Sequence, residues 1–470
     1  MMKADSAANR HPPSAICYHL AGIAGVGMSA LAQALLNAGQ VVTGSDRFLD
    51  QGRENLSVLE TLRRAGVKLF PQDGSGVTGQ TTAVVVSTAI EADNPDLAAA
   101  KRFGVSVRHR AEVLAELVAG KQLIAIAGTA GKTTTTALVG HMLTELGANP
   151  SVVNGGVVLG WQRPDALGSA RKGRSNLWVL ETDESDRSLL RFAPDWAIIT
   201  NISKDHFELD EVIALFRQFA AQVKTGIICG PGVAELICGH TSAVLIEPKL
   251  TESTRCEVAS VEATSRRLSS EKRPEVASTY SAALPGRHNA ENIRLAAALC
   301  EQLGYAPEKI SAALATFQGV QRRLEKVGER NGVVVYDDYA HNPAKIAAAC
   351  AAVAPTPGRL LAIWRPHGFG PLALMLDELT DALAGVLRAQ DMALILPVFY
   401  AGGTTQAKVT SDDLVTALRQ RGVQTELAVD YPTLEKKLRA ELRPGDVVLV
   451  MGARDPDLPL FARQLAGISD

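Results

Sequence analysis

The chain has 470 residues, 46% hydrophobic and 21% charged, with a formal net charge of −2. That length predicts about three domains, each with core enough to need no disulfide or metal staple. The near-neutral balance excludes a globally basic nucleic-acid binder or an anionic-membrane binder. Six cysteines without a C-x-x-C pair fit a reducing, cytoplasmic setting.

In chain order, a polar start ends near Ser14. The apolar stretch Ala15–Leu36 contains His19, a glycine loop, Ser29 and Gln33. It therefore reads as strand, loop and helix rather than as a signal or spanning segment. The predicted elements are a strand Tyr18–Ile23, a helix Met28–Ala38 closed by Gly39, strands Val41–Thr43 and Ala83–Ser87, and a helix Ala111–Val118. A second unit opens with strand Leu123–Ala127 and helix Thr133–Leu146, followed by strands Trp178–Leu180 and Trp196–Thr200. The polar stretch from Leu250 to Tyr280 suits an exposed hairpin region. A third unit begins near Val320, with strands Val333–Tyr336, Leu360–Trp364, Met392–Leu396 and Val447–Met451 and helices Leu372–Leu387 and Ser411–Arg419. Short β-branched runs alternating with longer amphipathic segments imply parallel sheets with crossover helices, an α/β class.

The strongest local signal is Gly128-Thr129-Ala130-Gly131-Lys132-Thr133-Thr134, between a strand and a helix. Backbone N–H groups converge on an anion there, and the helix dipole adds to the attraction. Lys132 supplies charge to terminal phosphates and Thr133 a hydroxyl to magnesium. Ile126 stands where the strict phosphate loop has glycine, so the loop is a shortened form. Glu181-Thr182-Asp183-Glu184-Ser185-Asp186 follows another strand, and carboxylates at that end of a sheet can hold magnesium. Asp205-His206 follows a third strand, and a neutral imidazole can ligate metal or move protons.

A first glycine loop, Gly22-Ile23-Ala24-Gly25-Val26-Gly27, also joins a strand to a helix. Its spacing is G-x-x-G-x-G, which still lets the backbone approach a pyrophosphate. Taken alone it would equally suit a nicotinamide cofactor. Asp46 ends the second strand, where a carboxylate could meet a ribose or base edge.

These residues, with Ser87-Thr88-Ala89-Ile90, Asn94-Pro95, Arg110–Leu114, Thr200-Asn201-Ile202, Leu284–Asn289, Asn292, Gly319-Val320, Arg322-Arg323 and Asp337–Pro343, resemble the Mur ligase family in order and spacing from about residue 18 to 455. The resemblance implies three domains: a Rossmann-like UDP-substrate domain (15–119), a central P-loop ATPase (120–318) and a C-terminal α/β domain (319–470). It implies ATP-dependent ligation of an amino acid, expected to be L-alanine, to the carboxylate of UDP-N-acetylmuramate through an acyl phosphate. The alternatives are a member attaching a recycled murein peptide to the same UDP sugar and a Mur-like ligase for a different amine acceptor. The resemblance puts the UDP substrate on Gly22, Gly25, Val26, Gly27, Met28, Ser29, Asp46, Ser87 and Thr88. It puts ATP on Gly128, Thr129, Ala130, Gly131, Lys132, Thr133, Thr134, His288, Asn289, Asn292, Arg323 and Asp338. Magnesium would lie near Thr133, Glu181 and His206. Lys132, His206, Arg323 and His341 would act in catalysis, with His341 facing the incoming amino acid.

Two departures stand out. Ala130 replaces a family histidine in the phosphate loop. After His367, alanine-adding members carry two arginines that hold the amino-acid carboxylate, and this chain has Gly368 and Pro371. Glycine cannot replace a bidentate guanidinium. Arg365 and Arg454 are the cations that could take over, with Arg365 the closer in sequence and grouped with His367 as the expected acceptor-binding pair.

Overall fold

The computed structural model describes residues 16–204, 207–248, 280, 282, 284–354, 358–399 and 409–468. It forms two compact units. One runs to Thr136 and resumes from Leu143 to Glu247; the other takes Ala137–Met142 and the chain from Pro248 onward. Asp205, His206 and the expected hairpin region 250–279 lie outside the described residues.

The first unit holds two sheets. Strands β1 (Cys17–Ala21), β2 (Val41–Ser45), β3 (Lys68–Phe70), β4 (Ala83–Val86) and β5 (Ser106–His109) form a five-stranded sheet of order β3-β2-β1-β4-β5. Every pairing in it is parallel. The order reverses between β1 and β4, so a ligand crevice is expected beyond the carboxyl ends of those two strands. The other sheet contains β6 (Gln122–Ala127), β7 (Ser151–Val153), β8 (Ala170–Arg171), β9 (Leu177–Glu181), β10 (Trp196–Ile199), β11 (Gly226–Cys229) and β12 (Val244–Ile246), in the order β12-β11-β10-β6-β9-β7-β8. Only the β7–β8 pair is antiparallel. Central β6 is flanked by β10 and β9. Buried Leu123, Val153 and Leu180 join Leu20, Leu31 and Leu35 in one core.

The second unit carries β13 (Glu325–Arg330), β14 (Val333–Asp338), β15 (Leu360–Arg365), β16 (Met392–Ile395), β17 (Thr425–Leu427) and β18 (Val447–Gly452), ordered β13-β14-β18-β15-β16-β17. Apart from the β13–β14 hairpin the strands run parallel. Strand alternation divides its core into two layers. Leu360, Ala362, Trp364, Leu449 and Met451 pack on one face, and Leu361, Ile363, Val448, Val450, Leu434 and Phe461 on the other.

The predicted strands and helices are all present, with ends moved by a few residues. The phosphate-loop helix spans Lys132–Glu145, and the helix after the first glycine loop spans Val26–Asn37. The described cysteines form no disulfide. Among the described residues no helix is long and apolar enough to cross a membrane.

Candidate active site

In the first unit, three neighbouring strands deliver the phosphate loop and its partners to one sheet edge. The loop leaves β6, the acidic segment leaves β9, and Thr200-Asn201 leaves β10. Asn201 fixes the loop: its Oδ1 accepts from Ala130 N at 3.0 Å and from Thr129 Oγ1 at 2.5 Å, and its Nδ2 donates to Ala130 O at 3.0 Å. Thr200 Oγ1 donates to the same carbonyl at 2.6 Å. Position 130 is thus pinned through its backbone, which needs no side chain beyond a methyl. Gly128 has φ +135, and a Cβ there would stand 2.0 Å from Thr200 Oγ1. Glycine is required at that position on both counts.

Thr129 and Ala130 turn their N–H groups to Asn201. Anion binding therefore falls to the helix that opens at Lys132, whose first-turn N–H groups point out of its N-terminus. Lys132 Nζ donates to Gly128 O at 2.8 Å and to Glu184 Oε2 at 2.6 Å, with Glu184 only 3% exposed. Burial works against the Lys132 ammonium, yet Glu184, Asp183 and Glu181 outweigh it and hold its pKa above the usual value. Burial also opposes ionisation of Asp183, but Lys132, Ser185 and Arg110 pull its pKa down. Thr133 Oγ1 donates to Glu181 Oε1 at 3.0 Å, and Gly155 N donates to Glu181 Oε2 at 2.6 Å.

At the other sheet, Gly22 N and Ile23 N both donate to Ser45 O, at 2.9 and 3.0 Å. The helix Val26–Asn37 starts on Gly25 with no side-chain cap and no acidic residue in its first turn. That leaves its N-terminus suited to an anion. Val26 is exposed, whereas Met28 is buried in the core and the Ser29 hydroxyl turns back to Val26 O at 3.1 Å. Asp46 clamps the loop rather than projecting from it: its two oxygens accept from Ala24 N at 2.9 Å and Phe48 N at 3.1 Å. Ser87 and exposed Thr88 follow β4 across the switch point, and Ile90 reaches over Gly22.

Arg110 links the two loops of this unit, and sequence reasoning gave it no role. Its Nη2 lies 3.4 Å from Asp183 Oδ2 and 3.2 Å from Asp186 Oδ2, while its Nη1 would be 3.1 Å from a Cβ at Gly27. Asn201 and Gly155 were likewise without a role. Asn201 lay inside a recognised motif, but Gly155 carries no sequence signal linking it to Glu181.

In the second unit, Arg322 and Leu324 both adopt positive φ, 58° and 47°, on either side of Arg323. Arg322 holds the turn by pairing with Asp337 at 3.2 Å and donating to Gly452 O at 2.6 Å. Asp338 accepts from Leu324 N and Ala340 N, each at 2.7 Å. Arg323 stands over the Tyr339 ring at 5.1 Å. Asn289 and Asn292 are buried, with Asn289 Nδ2 donating to Pro285 O at 2.7 Å, and exposed His288 lies within electrostatic reach of Asp338. The His341 and His367 rings meet edge to face at 5.4 Å.

Arg365 is engaged elsewhere. Its Nη1 pairs with Asp455 Oδ2 at 2.6 Å, Asp455 being 1% exposed, and its guanidinium stacks on Phe399 and Tyr431. The cause is alternation: Trp364 packs into one core layer, so Arg365 takes the face of the helix Tyr431–Glu441.

Family models cover nearly all of the described chain. The catalytic domain of the Mur ligase family matches residues 17–122, the Mur ligase middle domain 126–300, and the Mur ligase glutamate ligase domain 322–454. The UDP-N-acetylmuramate–L-alanine ligase of Gloeobacter violaceus is 37% identical over 453 residues, 93% of this chain and 92% of that protein. The chain belongs to the Mur ligase family.

The same enzyme from Methylocella silvestris is 36% identical to this Mur ligase, over 93% of this chain and 94% of its own length. Its fold matches the solved UDP-N-acetylmuramate-alanine ligase of Thermotoga maritima with a TM-score of 0.75 at 23% identity, covering 96% and 98% of the two chains. It also matches the murein peptide ligase of Psychrobacter arcticus, with a TM-score of 0.66 at 20% identity over 97% and 100%. As Mur ligases are, this enzyme is an ATP-dependent ligase that forms an amide bond.

Proposed function

We propose that this Mur ligase joins L-alanine to the carboxylate of UDP-N-acetylmuramate, converting ATP to ADP and phosphate. The observation that carries the choice of substrates is the shared name of relatives 34–37% identical over more than nine-tenths of the chain. The substrate carboxylate attacks the γ-phosphorus of ATP and ADP leaves, giving an acyl phosphate. The amine nitrogen then attacks the acyl carbon, and the tetrahedral intermediate expels phosphate as the nitrogen loses a proton.

Lys132 is read as the cation that follows the transferring phosphoryl group, for which it exchanges Glu184 for phosphate oxygen. The first-turn N–H groups after Gly131 cradle the phosphates. His288, Asn289, Asn292, Arg323 and Asp338 are read as the nucleotide-facing group of the second unit, with Arg323 held ready by its strained turn. The UDP pyrophosphate belongs at the open N-terminus of the helix Val26–Asn37, between Gly25–Gly27 and Ser87-Thr88. His341 is read as facing the amine.

Magnesium fits the first unit. Among the described residues no three His, Cys, Asp or Glu side chains form a metal cage, and this cation binds typically through one or two protein oxygens plus substrate phosphates. Glu181 and Thr133 place two oxygens 3.0 Å apart beside the phosphate loop and would hold it. His206, outside the described residues, is the third expected ligand. Bound there, magnesium would neutralise phosphate charge.

The test is phosphate release with UDP-N-acetylmuramate, ATP and magnesium against each amino acid and short peptides. L-Alanine should give ADP, phosphate and product in equal amounts. Release with no amine at all would overturn the reading. Gly368 and Pro371, in place of the arginine pair, favour one second reading, ligation of a larger peptide amine; release with peptides alone would establish it.

A further inference from the structure

We infer that Arg454 is the cation that binds the carboxylate of the incoming amino acid. This rests on the ligase reading above and names its acceptor-binding residue.

The argument begins with strand order. β18 lies between β14 and β15, and all three run parallel. Their carboxyl ends therefore open on one edge of the sheet, where ligands of such sheets bind. His341 follows β14 by three residues, His367 follows β15 by two, and Arg454 follows β18 by two. The two histidine rings meet at 5.4 Å, so the segments leaving the outer strands converge. The residue leaving the strand between them is Arg454. Its guanidinium acts on His367: burial chiefly, and then the Arg454 charge, hold that imidazole below the ordinary histidine pKa. His367 Nδ1 is buried without a hydrogen-bond partner among the described residues.

Arg454 is also set apart by its backbone and its lack of partners. It adopts φ +66, a left-handed conformation that L side chains rarely take. Such outliers persist where surrounding structure enforces them, often at functional sites. Arg454 is exposed and makes no ion pair or hydrogen bond among the described residues. The neighbouring arginines have other roles: Arg365 pairs with Asp455, Arg322 holds Asp337 and Gly452 O, and Arg323, over the Tyr339 ring, is read as facing the nucleotide. With Gly368 and Pro371 unable to bind an anion through side chains, Arg454 is the arginine of this edge left to meet a carboxylate. An α-amino acid then lies with its carboxylate on Arg454 and its amine toward the two imidazoles, which accept an amine proton better when neutral.

Arg454→Gly, Arg454→Ala and Arg454→Lys test this with L-alanine and L-alaninamide as acceptors. Glycine suits φ +66, so Arg454→Gly should melt at or above the wild-type temperature. The KM for L-alanine should rise at least about tenfold in the glycine and alanine variants, consistent with loss of a charge-assisted bond. Arg454→Lys should fall between. KM values for ATP and UDP-N-acetylmuramate should stay within about twofold, and wild-type preference for L-alanine over its amide should collapse. A folded Arg454→Gly enzyme with wild-type KM for L-alanine overturns the assignment while leaving the ligase reading intact. Wild-type enzyme that releases phosphate with no amine overturns the ligase reading itself.

Discussion

Replacing Gly155 by alanine should weaken magnesium use while sparing the fold. Gly155 N donates to Glu181 Oε2 at 2.6 Å, and Thr133 Oγ1 holds Oε1 at 3.0 Å. A Cβ at position 155 would stand 2.5 Å from both carboxylate oxygens and 2.7 Å from Cδ. A carbon–oxygen contact needs about 3.3 Å, so the carboxylate must retreat by about 0.8 Å. That stretches the Gly155 N–Oε2 bond past the usual range and shifts the carboxylate relative to Thr133. The yielding atoms are the end of a flexible side chain, and Gly155 is not among the residues with positive φ, so alanine fits the backbone. Hydrogen bonds to a charged group contribute about 1.5–3 kcal/mol each. Losing the equivalent of one at the metal raises half-saturating magnesium roughly 10- to 150-fold. Phosphate release against magnesium at fixed ATP measures this, with thermal melting as the control for folding. A folded variant whose magnesium curve lies within about twofold of wild type would refute Glu181 as a metal ligand and leave it a loop-bracing residue.

Lys132→Ala should slow ligation about a thousandfold while UDP-N-acetylmuramate binding, followed by calorimetry, stays nearly intact. Because it strands the buried Glu184, the Lys132→Ala/Glu184→Gln double variant should recover melting temperature but not rate; recovery of rate would contradict the role given to Lys132. Arg365→Ala should act on stability, lowering it by about 3 kcal/mol in denaturant unfolding as Asp455 loses its partner; an unchanged midpoint with a raised KM for L-alanine alone would return Arg365 to the acceptor site. Arg454→Ala should raise the His367 pKa, read from its ring-proton NMR titration, since the neighbouring cation is removed while burial remains. The sign for stability follows: with its folded pKa depressed, wild-type His367 adds an acid loss that sets in as pH falls below about 6.5, and the variant should show less of it.

The parallel strands were legible because burial on both faces demands continuous apolar runs, as in Ala83–Val86 and Val447–Gly452. Most strands without a sequence signal are short or polar, although Gly226–Cys229 is apolar and fully buried. Ser106–His109 and Lys68–Phe70 sit at edges and hold no buried residue. Glu325–Arg330 carries four charged residues of six and pairs along one side only, so its alternation is faint. Its turn was nonetheless written in the chain: Asn331-Gly332, both at positive φ, joins it to β14, and that dipeptide is a strong hairpin signal. The helix Arg287–Gln302 is hard to see in the sequence because its opening residues read as a nucleotide motif rather than as the start of a periodic apolar face.

The site was legible where a residue type carries its chemistry and opaque where only the fold brings partners together. Lys132 and Thr133 announce themselves, whereas Gly155 and Arg110 acquire meaning only through contacts 26 and 73 residues away in sequence. Nearness along the chain favoured Arg365 for the acceptor carboxylate, but alternation turned it to Asp455. The acidic run 181–186, read in the sequence as carboxylates able to hold magnesium, is largely enclosed, with Glu184 and Asp186 side chains 3% and 5% exposed. Four carboxylates, Glu181, Asp183, Glu184 and Asp186, gather there around two cations, Lys132 and Arg110. The excess is two negative charges at the place proposed for a polyphosphate. Two like-signed groups in a partly desolvated cleft repel strongly. ATP should therefore enter with its own cation, and free ATP should bind far more weakly than its magnesium complex.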